Sequence, residues 1–169
     1  GKTYPSICVT NEYFPRIFKT RNINKRYGTF YGPYSHISSM YAILDIIKKV
    51  YKPRTCRFPI TKEGIEQGKY KPCLEYHLHN CGAPCINKQS YEDYQEAIKQ
   101  AREVLKGNTR EVQKLLKKQM EKYAEELRFE DAELCKQRYL ALDNFAAKSE
   151  IVSHTITDVD VFTIVDDDS

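Results

Sequence analysis

Four of the six cysteines fall between residues 56 and 85, spaced Cys56-x16-Cys73-x7-Cys81-x3-Cys85. Thiolate is the usual protein ligand for zinc and for iron–sulfur clusters, so four thiols so close in sequence point to a four-ligand metal site. The spacing does not choose the metal. Only Cys81 and Cys85 are as close as a zinc knuckle requires, and ferredoxin spacing is absent. His77 and His79 lie among the cysteines and are possible fourth ligands, although four thiols already complete a tetrahedron. Redox chemistry at Cys81-Gly82-Ala83-Pro84-Cys85 is the competing reading, but that run is one residue longer than a thioredoxin motif and lacks its βαβ setting. Cys8, in a β-rich run, and Cys135, on a helix stripe, read as core residues.

The stretch that carries the four cysteines has no hydrophobic period. Residues 51–88 contain four prolines and three glycines. A segment so irregular must be tied together by something other than an apolar core, and metal binding is itself folding free energy in small motifs. Regular elements flank it. Residues 6–10 and 16–20 are β-rich runs around a turn, and residues 21–29 read as a basic loop. Gly32-Pro33 interrupts any regular element there. Ile37, Met40, Tyr41, Leu44, Ile47 and Val50 form one apolar stripe, predicting a helix that starts near Ser35 or Ser38 and ends before Pro53.

Ser90, with Asp93 three residues on, predicts a capped helix that Gly107-Asn108 stops. Thr109 restarts helix, with Val112, Leu115, Leu116, Met120, Tyr123, Ala124 and Leu127 in period. After a break near residues 128–130, Ala132, Cys135, Tyr139, Leu142 and Phe145 resume it. Two facing stripes predict an antiparallel hairpin, which commonly needs a partner to bury its surface. Residues 151–165 are rich in β-formers and read as the first strands of another domain. The fold class expected is α+β.

The 169 residues carry a net charge of +4, distributed as +10 over residues 1–88 and −6 over residues 89–169. A basic front half attracts phosphate. Arg16, Lys19, Arg21, Lys25 and Arg26 alternate there with aromatic residues including Tyr31 and Tyr34, a mixture suited to phosphate contact plus base stacking. These seven are the candidate DNA-binding residues; a nuclease-domain surface with buried tyrosines is the alternative. No apolar run approaches the roughly 20 residues of a bilayer span. No signal peptide is visible at the start, so a cytoplasmic protein is expected. Neither a membrane nor a small-molecule substrate is expected as a partner.

Leu127-Arg128-Phe129-Glu130-Asp131-Ala132-Glu133, followed by Arg138, resembles the UVR motif of excision-repair subunits and of some stress-response adaptors. Further residues narrow the resemblance to the UvrC family: Lys2-Thr3-Tyr4-Pro5, Phe14-Pro15-Arg16, Tyr31-Gly32-Pro33-Tyr34, Arg54-Thr55-Cys56, Pro72-Cys73-Leu74-Glu75-Tyr76 and Cys81-Gly82-Ala83-Pro84-Cys85. The order is that of the family's middle segment, between its two nuclease domains.

The resemblance implies a connector in the nuclease subunit that incises DNA on both sides of a lesion. It implies a [4Fe–4S] cluster on Cys56, Cys73, Cys81 and Cys85, with zinc as the alternative. It implies that the UVR hairpin pairs with a similar hairpin of UvrB through Leu127, Phe129, Glu130, Ala132 and Leu134, and that damaged duplex DNA is the second partner. The divisions it implies are a GIY-YIG nuclease tail over 1–35, a helix and Cys-rich region over 36–88 and a connecting helix over 89–108. The UVR hairpin follows over 109–147, then a linker and the first strand or strands of an RNase H-like domain over 148–169. The catalytic residues of both nucleases would lie outside this sequence, so none is assigned. Asp158, Asp160 and Asp166–Asp168 are read as a strand edge and solvated loop. A metal-binding, UVR-containing adaptor of a kinase or protease is the alternative function, against which stands the lack of paired C-x2-C motifs.

Overall fold

The computed structural model describes residues 3–155 and 163–165. It is a mixed α+β structure with a small antiparallel sheet and six helices. The sheet comprises β1 (Ser6–Thr10), β2 (Ile17–Thr20), β3 (Gly28–Gly32) and β4 (Thr163–Val165), in the order β2-β1-β3-β4. Every residue of the central β1 is buried, whereas β2 is an edge strand with Phe18 and Lys19 exposed. The strand β3 was not expected. Its glycine ends disguise it, and one of them has a packing reason: a Cβ on Gly28 would collide with the Val9 carbonyl of the neighbouring strand.

Helix α1 (Ile37–Tyr51) ends as the sequence predicts, with Lys52 in the left-handed region (φ 49°) one residue before Pro53. Its buried face is Met40, Ile43, Leu44, Ile46, Ile47, Val50 and Tyr51. Ile37 and Tyr41, assigned to the apolar stripe by spacing, are exposed. The short helices α2 (Lys62–Glu66) and α3 (Leu74–His77) and a 3-10 turn (Pro84–Ile86) interrupt the cysteine-rich stretch.

Helix α4 (Tyr91–Leu105) begins at the predicted cap: the Ser90 side chain accepts from the Asp93 amide at 3.0 Å. Gly107, at φ 87°, turns the chain out of it, and the Asn108 amide bonds back to the Glu103 carbonyl. The stripe Tyr94, Ala97, Ile98, Ala101 and Leu105 is buried in the same core as Ile7, Val9 and Met40. Tyr94 also donates to the Pro15 carbonyl at 2.7 Å, and Tyr51 to Gln100 at 2.9 Å, so sheet, α1 and α4 share one interior.

Helices α5 (Thr109–Glu125) and α6 (Phe129–Thr155) form an antiparallel pair, joined by residues 126–128. Arg110 reaches Asp143 at 2.8 Å and Glu150 at 3.0 Å, and Gln113 reaches Asp143 at 3.0 Å, which fixes the pairing direction. Val112, Leu116, Ala132, Cys135 and Leu142 close the pair, and the Arg138 guanidinium lies over the Tyr51 ring, 5.1 Å from its centre. The hairpin is therefore packed on α1 rather than free-standing.

Helix α6 runs on through Ile151 and Val152, residues that composition marks as β-formers; a helix already propagating overrides local propensity. Thr163–Val165 is strand, but it pairs with β3, placing Ile164 opposite Tyr31, and so extends the front sheet. The predicted β-formers at 156–162 and the acidic run Asp166–Asp168 lie outside the described residues. Among the described residues no helix is long and apolar enough to cross a membrane.

Candidate functional site: a four-thiol region, a helical tip and a basic groove

The cysteine-rich stretch is organised by Arg54. Its guanidinium is buried and donates to the Phe14 carbonyl (2.8 Å), the Cys56 carbonyl (2.7 Å), the Phe58 carbonyl (3.2 Å) and Glu12 (2.7 Å). It also approaches Cys56 Sγ at 3.3 Å. A buried cation needs such a shell, because any unmatched donor would carry its desolvation cost. Tyr70 closes the next loop by accepting from the Thr61 amide (2.9 Å) and donating to the Pro59 carbonyl (3.2 Å), its ring stacked on Phe58. These polar ties fold a segment that has no apolar period.

Cys56, Cys81 and Cys85 are half-buried and Cys73 is exposed; none of them is in a disulfide. Burial pushes the Cys81 thiol up, and proximity to Cys56, Cys73 and Cys85 pushes it further. Burial, then Cys56 and Cys73, does the same to Cys85. The fold thus brings the four thiols within electrostatic reach of one another, although 28 residues lie between the first and the last. Among the described residues no group of three His, Cys, Asp or Glu side chains is drawn in tightly enough to be a ready-made ion site. These two findings differ in range. Mutual electrostatic influence extends beyond coordination distance, so a ligated site would require the thiols to turn inward. His77 is exposed, its ring edge-on to Tyr76. Cys8 and Cys135 are core residues as expected; burial raises the Cys8 thiol to about 11.

The second feature is the turn between α5 and α6. Leu127 adopts φ 61°, and the Arg128 amide donates back to the Tyr123 carbonyl at 2.8 Å. This is the glycine-favouring closure of a helix, made here with leucine. Leu127 is 73% exposed and Phe129 64%, and Leu134 is exposed on the same end of α6. Glu130 is exposed as well. Ala132 is a correction: it is buried inside the hairpin, where its small side chain lets the helices approach, and it is not available to a partner. The Arg128 guanidinium pairs with Asp131 at 2.9 Å and lies over the Tyr123 ring, so it braces the turn from within.

The third feature is basic. Of the residues singled out for DNA, Tyr31 and Tyr34 are fully buried in the core and cannot stack on a base, a second correction. Tyr31 instead accepts from Arg102 at 3.3 Å. Lys25 and Arg26 are exposed in the β2–β3 loop, and Arg21 there bonds to the Thr3 carbonyl. Arg16 and Lys19 stand elsewhere, on a cavity between β2 and α1 that Lys48 and Arg57 also line. Sequence reasoning missed those last two, and it placed Tyr41 of the same cavity in the core. The i, i+7 spacing of Tyr41 and Lys48 was the available signal.

Residues 4–104 match the family described as "UvrC/Cho excinuclease, middle domain". The UvrABC system protein C of Bacteroides thetaiotaomicron is 51% identical over 99% of this chain, which spans 28% of that protein. The protein of the same name from Flavobacterium johnsoniae is 44% identical over 99% of the chain and 28% of its own length. That from Salinibacter ruber is 42% identical over 96% of the chain and 26% of its own length. The chain thus spans little more than a quarter of these relatives. The adaptor reading finds no support among these relatives. No solved structure matches the chain. With a matching family model over most of its folded core and relatives aligned along nearly its whole length, this chain belongs to the UvrC/Cho excinuclease middle-domain family.

Proposed function

We propose that this chain is the connector of a nucleotide excision repair nuclease subunit, and that it docks UvrB through the α5–α6 turn. One observation carries the reading. Leu127 and Phe129 are exposed at the tip of a hairpin whose own interior is already closed by Val112, Leu116, Cys135 and Leu142. Neither side chain contributes to the monomer's core. Leucine at φ 61° also costs about 1 kcal/mol or more relative to glycine, so the turn is not optimised for the stability of the isolated chain. Residues that burden a monomer in this way suit an interface, where exposed aromatic and aliphatic anchors bury in a partner's pocket. Glu130 and Leu134 would border the contact; Ala132 sets the helix spacing behind it. A pull-down with UvrB tests the assignment: Phe129→Ala should weaken capture, and undiminished capture would remove Phe129 from the site.

We infer further that Cys56, Cys73, Cys81 and Cys85 hold a [4Fe–4S] cluster. The donor set fits such a group: four thiols, within electrostatic reach of one another, on loops pinned by Arg54. The same soft donors suit zinc. A bound cluster would supply redox-active iron and a covalent tie across the irregular stretch. The raised thiols of Cys81 and Cys85 are protonated at neutral pH without a metal, so loading would release protons. Anaerobic purification with metal and sulfide analysis discriminates the two: iron with sulfide supports the cluster, and stoichiometric zinc without iron rejects it. Damaged DNA is the substrate proposed for the whole subunit; this chain contributes placement and partner contact.

A further inference from the structure

We propose that the groove between β2 and α1 binds a single strand of nucleic acid, its phosphates on Lys19, Lys48 and Arg57 and a base on Tyr41. The groove encloses about 560 Å³. Among the described residues that line it there is no carboxylate. Its floor is apolar where Ile17 and Leu44 are buried. One aromatic ring stands exposed at its side, Tyr41 at 42%; Phe18 alternates with Ile17 and Lys19 along β2 and projects from the other face of the sheet.

The Tyr41 ring is paired with a cation: Lys19 Nζ lies 5.2 Å from its centre while donating to its hydroxyl at 2.8 Å. Arg16 is partly neutralised by Glu12, with which it forms an ion pair at 2.7 Å, and Arg54 is committed to the groove's floor. The free positive charge therefore falls to Lys19, Lys48 and Arg57.

Cations around an exposed ring are the pattern that tracks a phosphate backbone while stacking an unpaired base. A duplex offers phosphates and base edges but no free base faces, so it would leave the ring unused. An acidic peptide would meet the charges and likewise leave the ring unused. The occupant chosen is thus the one whose chemistry matches both halves of the lining. This inference deepens the excision-repair reading and rests on it only for the expectation that DNA is the polymer.

The test is fluorescence anisotropy of the full chain with an unstructured oligothymidine, a duplex of the same length and a poly-glutamate peptide, over a salt series. The oligothymidine should bind tightest. Three phosphate contacts predict a slope of log K against log salt of about −2, since each contributes roughly 0.7 for a single strand. Lys48→Glu with Arg57→Glu should abolish binding. Tyr41→Ala should weaken the oligothymidine roughly tenfold and leave the duplex unaffected, as one lost stacking platform would. Equal binding of duplex or peptide, or variants that bind oligothymidine like the parent, would overturn the proposal. All the substituted side chains are exposed, and matching melting curves exclude misfolding. UvrB capture, measured on the same preparations, should be unchanged, so loss of strand binding and loss of the docking function are separable.

Discussion

Glu12 is the acid on which two arginines converge. Burial alone would raise its pKa, but hydrogen bonds from Thr10 and Arg16 and the charges of Arg54 and Arg16 outweigh it and hold the carboxyl below its usual value. The carboxylate is therefore favoured in the folded state. Its contribution to stability is complete above the ordinary carboxylate pKa and is lost as the pH falls through the lowered one. Glu12→Gln should accordingly be less stable than the parent at neutral pH. The gap between them should close in acid, as urea midpoints across a pH series would record; a constant gap would deny Glu12 this role. Arg54→Ala should cost about 3 kcal/mol or more in urea denaturation, because it leaves Glu12 and three loop carbonyls without their common donor. A loss below about 1 kcal/mol would mean that the loops hold without it. The sequence could mark Arg54 only as a neighbour of Cys56. Its hub position depends on the Phe14 carbonyl and on Glu12, about 40 residues away, and such convergence leaves no local pattern.

At the scale of elements, the proposed docking role implies that stability and recognition rest on different residues of the hairpin. Leu142 is fully buried, so Leu142→Ala should destabilise the chain by about 2–5 kcal/mol in chemical denaturation. Leu127→Gly should act in the opposite sense. It relieves a left-handed leucine and should stabilise the chain by about 1 kcal/mol, while weakening UvrB capture. A variant that is both less stable and fully competent would contradict the proposed division of labour. Much at this scale was legible. The 3.6-residue stripes located α1, α4, α5 and the first half of α6, and Ser90, Gly107 and Pro53 marked boundaries through their own backbone chemistry. What stayed hidden was non-local. The strand β3 is three residues between glycines and exists through pairing with β1. Tyr31 and Tyr34 look like a basic-aromatic surface in sequence, yet the sheet and α1 enclose them. No composition signal distinguishes Ile151 and Val152 in a helix from the same residues in a strand.

For the molecule as a whole, the charge division follows the architecture. The basic front half holds the groove and the four thiols; the acidic rear half supplies the hairpin. Arg54 joins two of these features, lining the groove and reaching Cys56 Sγ, while Arg138 on Tyr51 seats the hairpin on α1. The candidate sites were legible to different degrees. The cysteines could be named from spacing, since few residue types serve as soft ligands. The docking tip could be named only with the family resemblance, because exposure is a property of the packed hairpin. Half of the groove was invisible, its residues coming from β2, α1 and the loop after Pro53. The exposed tip is proposed to dock UvrB and to be dispensable for the fold. Calorimetric titration of UvrB into the intact chain and into a Leu127→Ala, Phe129→Ala variant tests it most directly. The variant should melt like the parent and bind with an affinity lower by at least about 2 kcal/mol, roughly thirtyfold. Equal affinities in two folded proteins would contradict it.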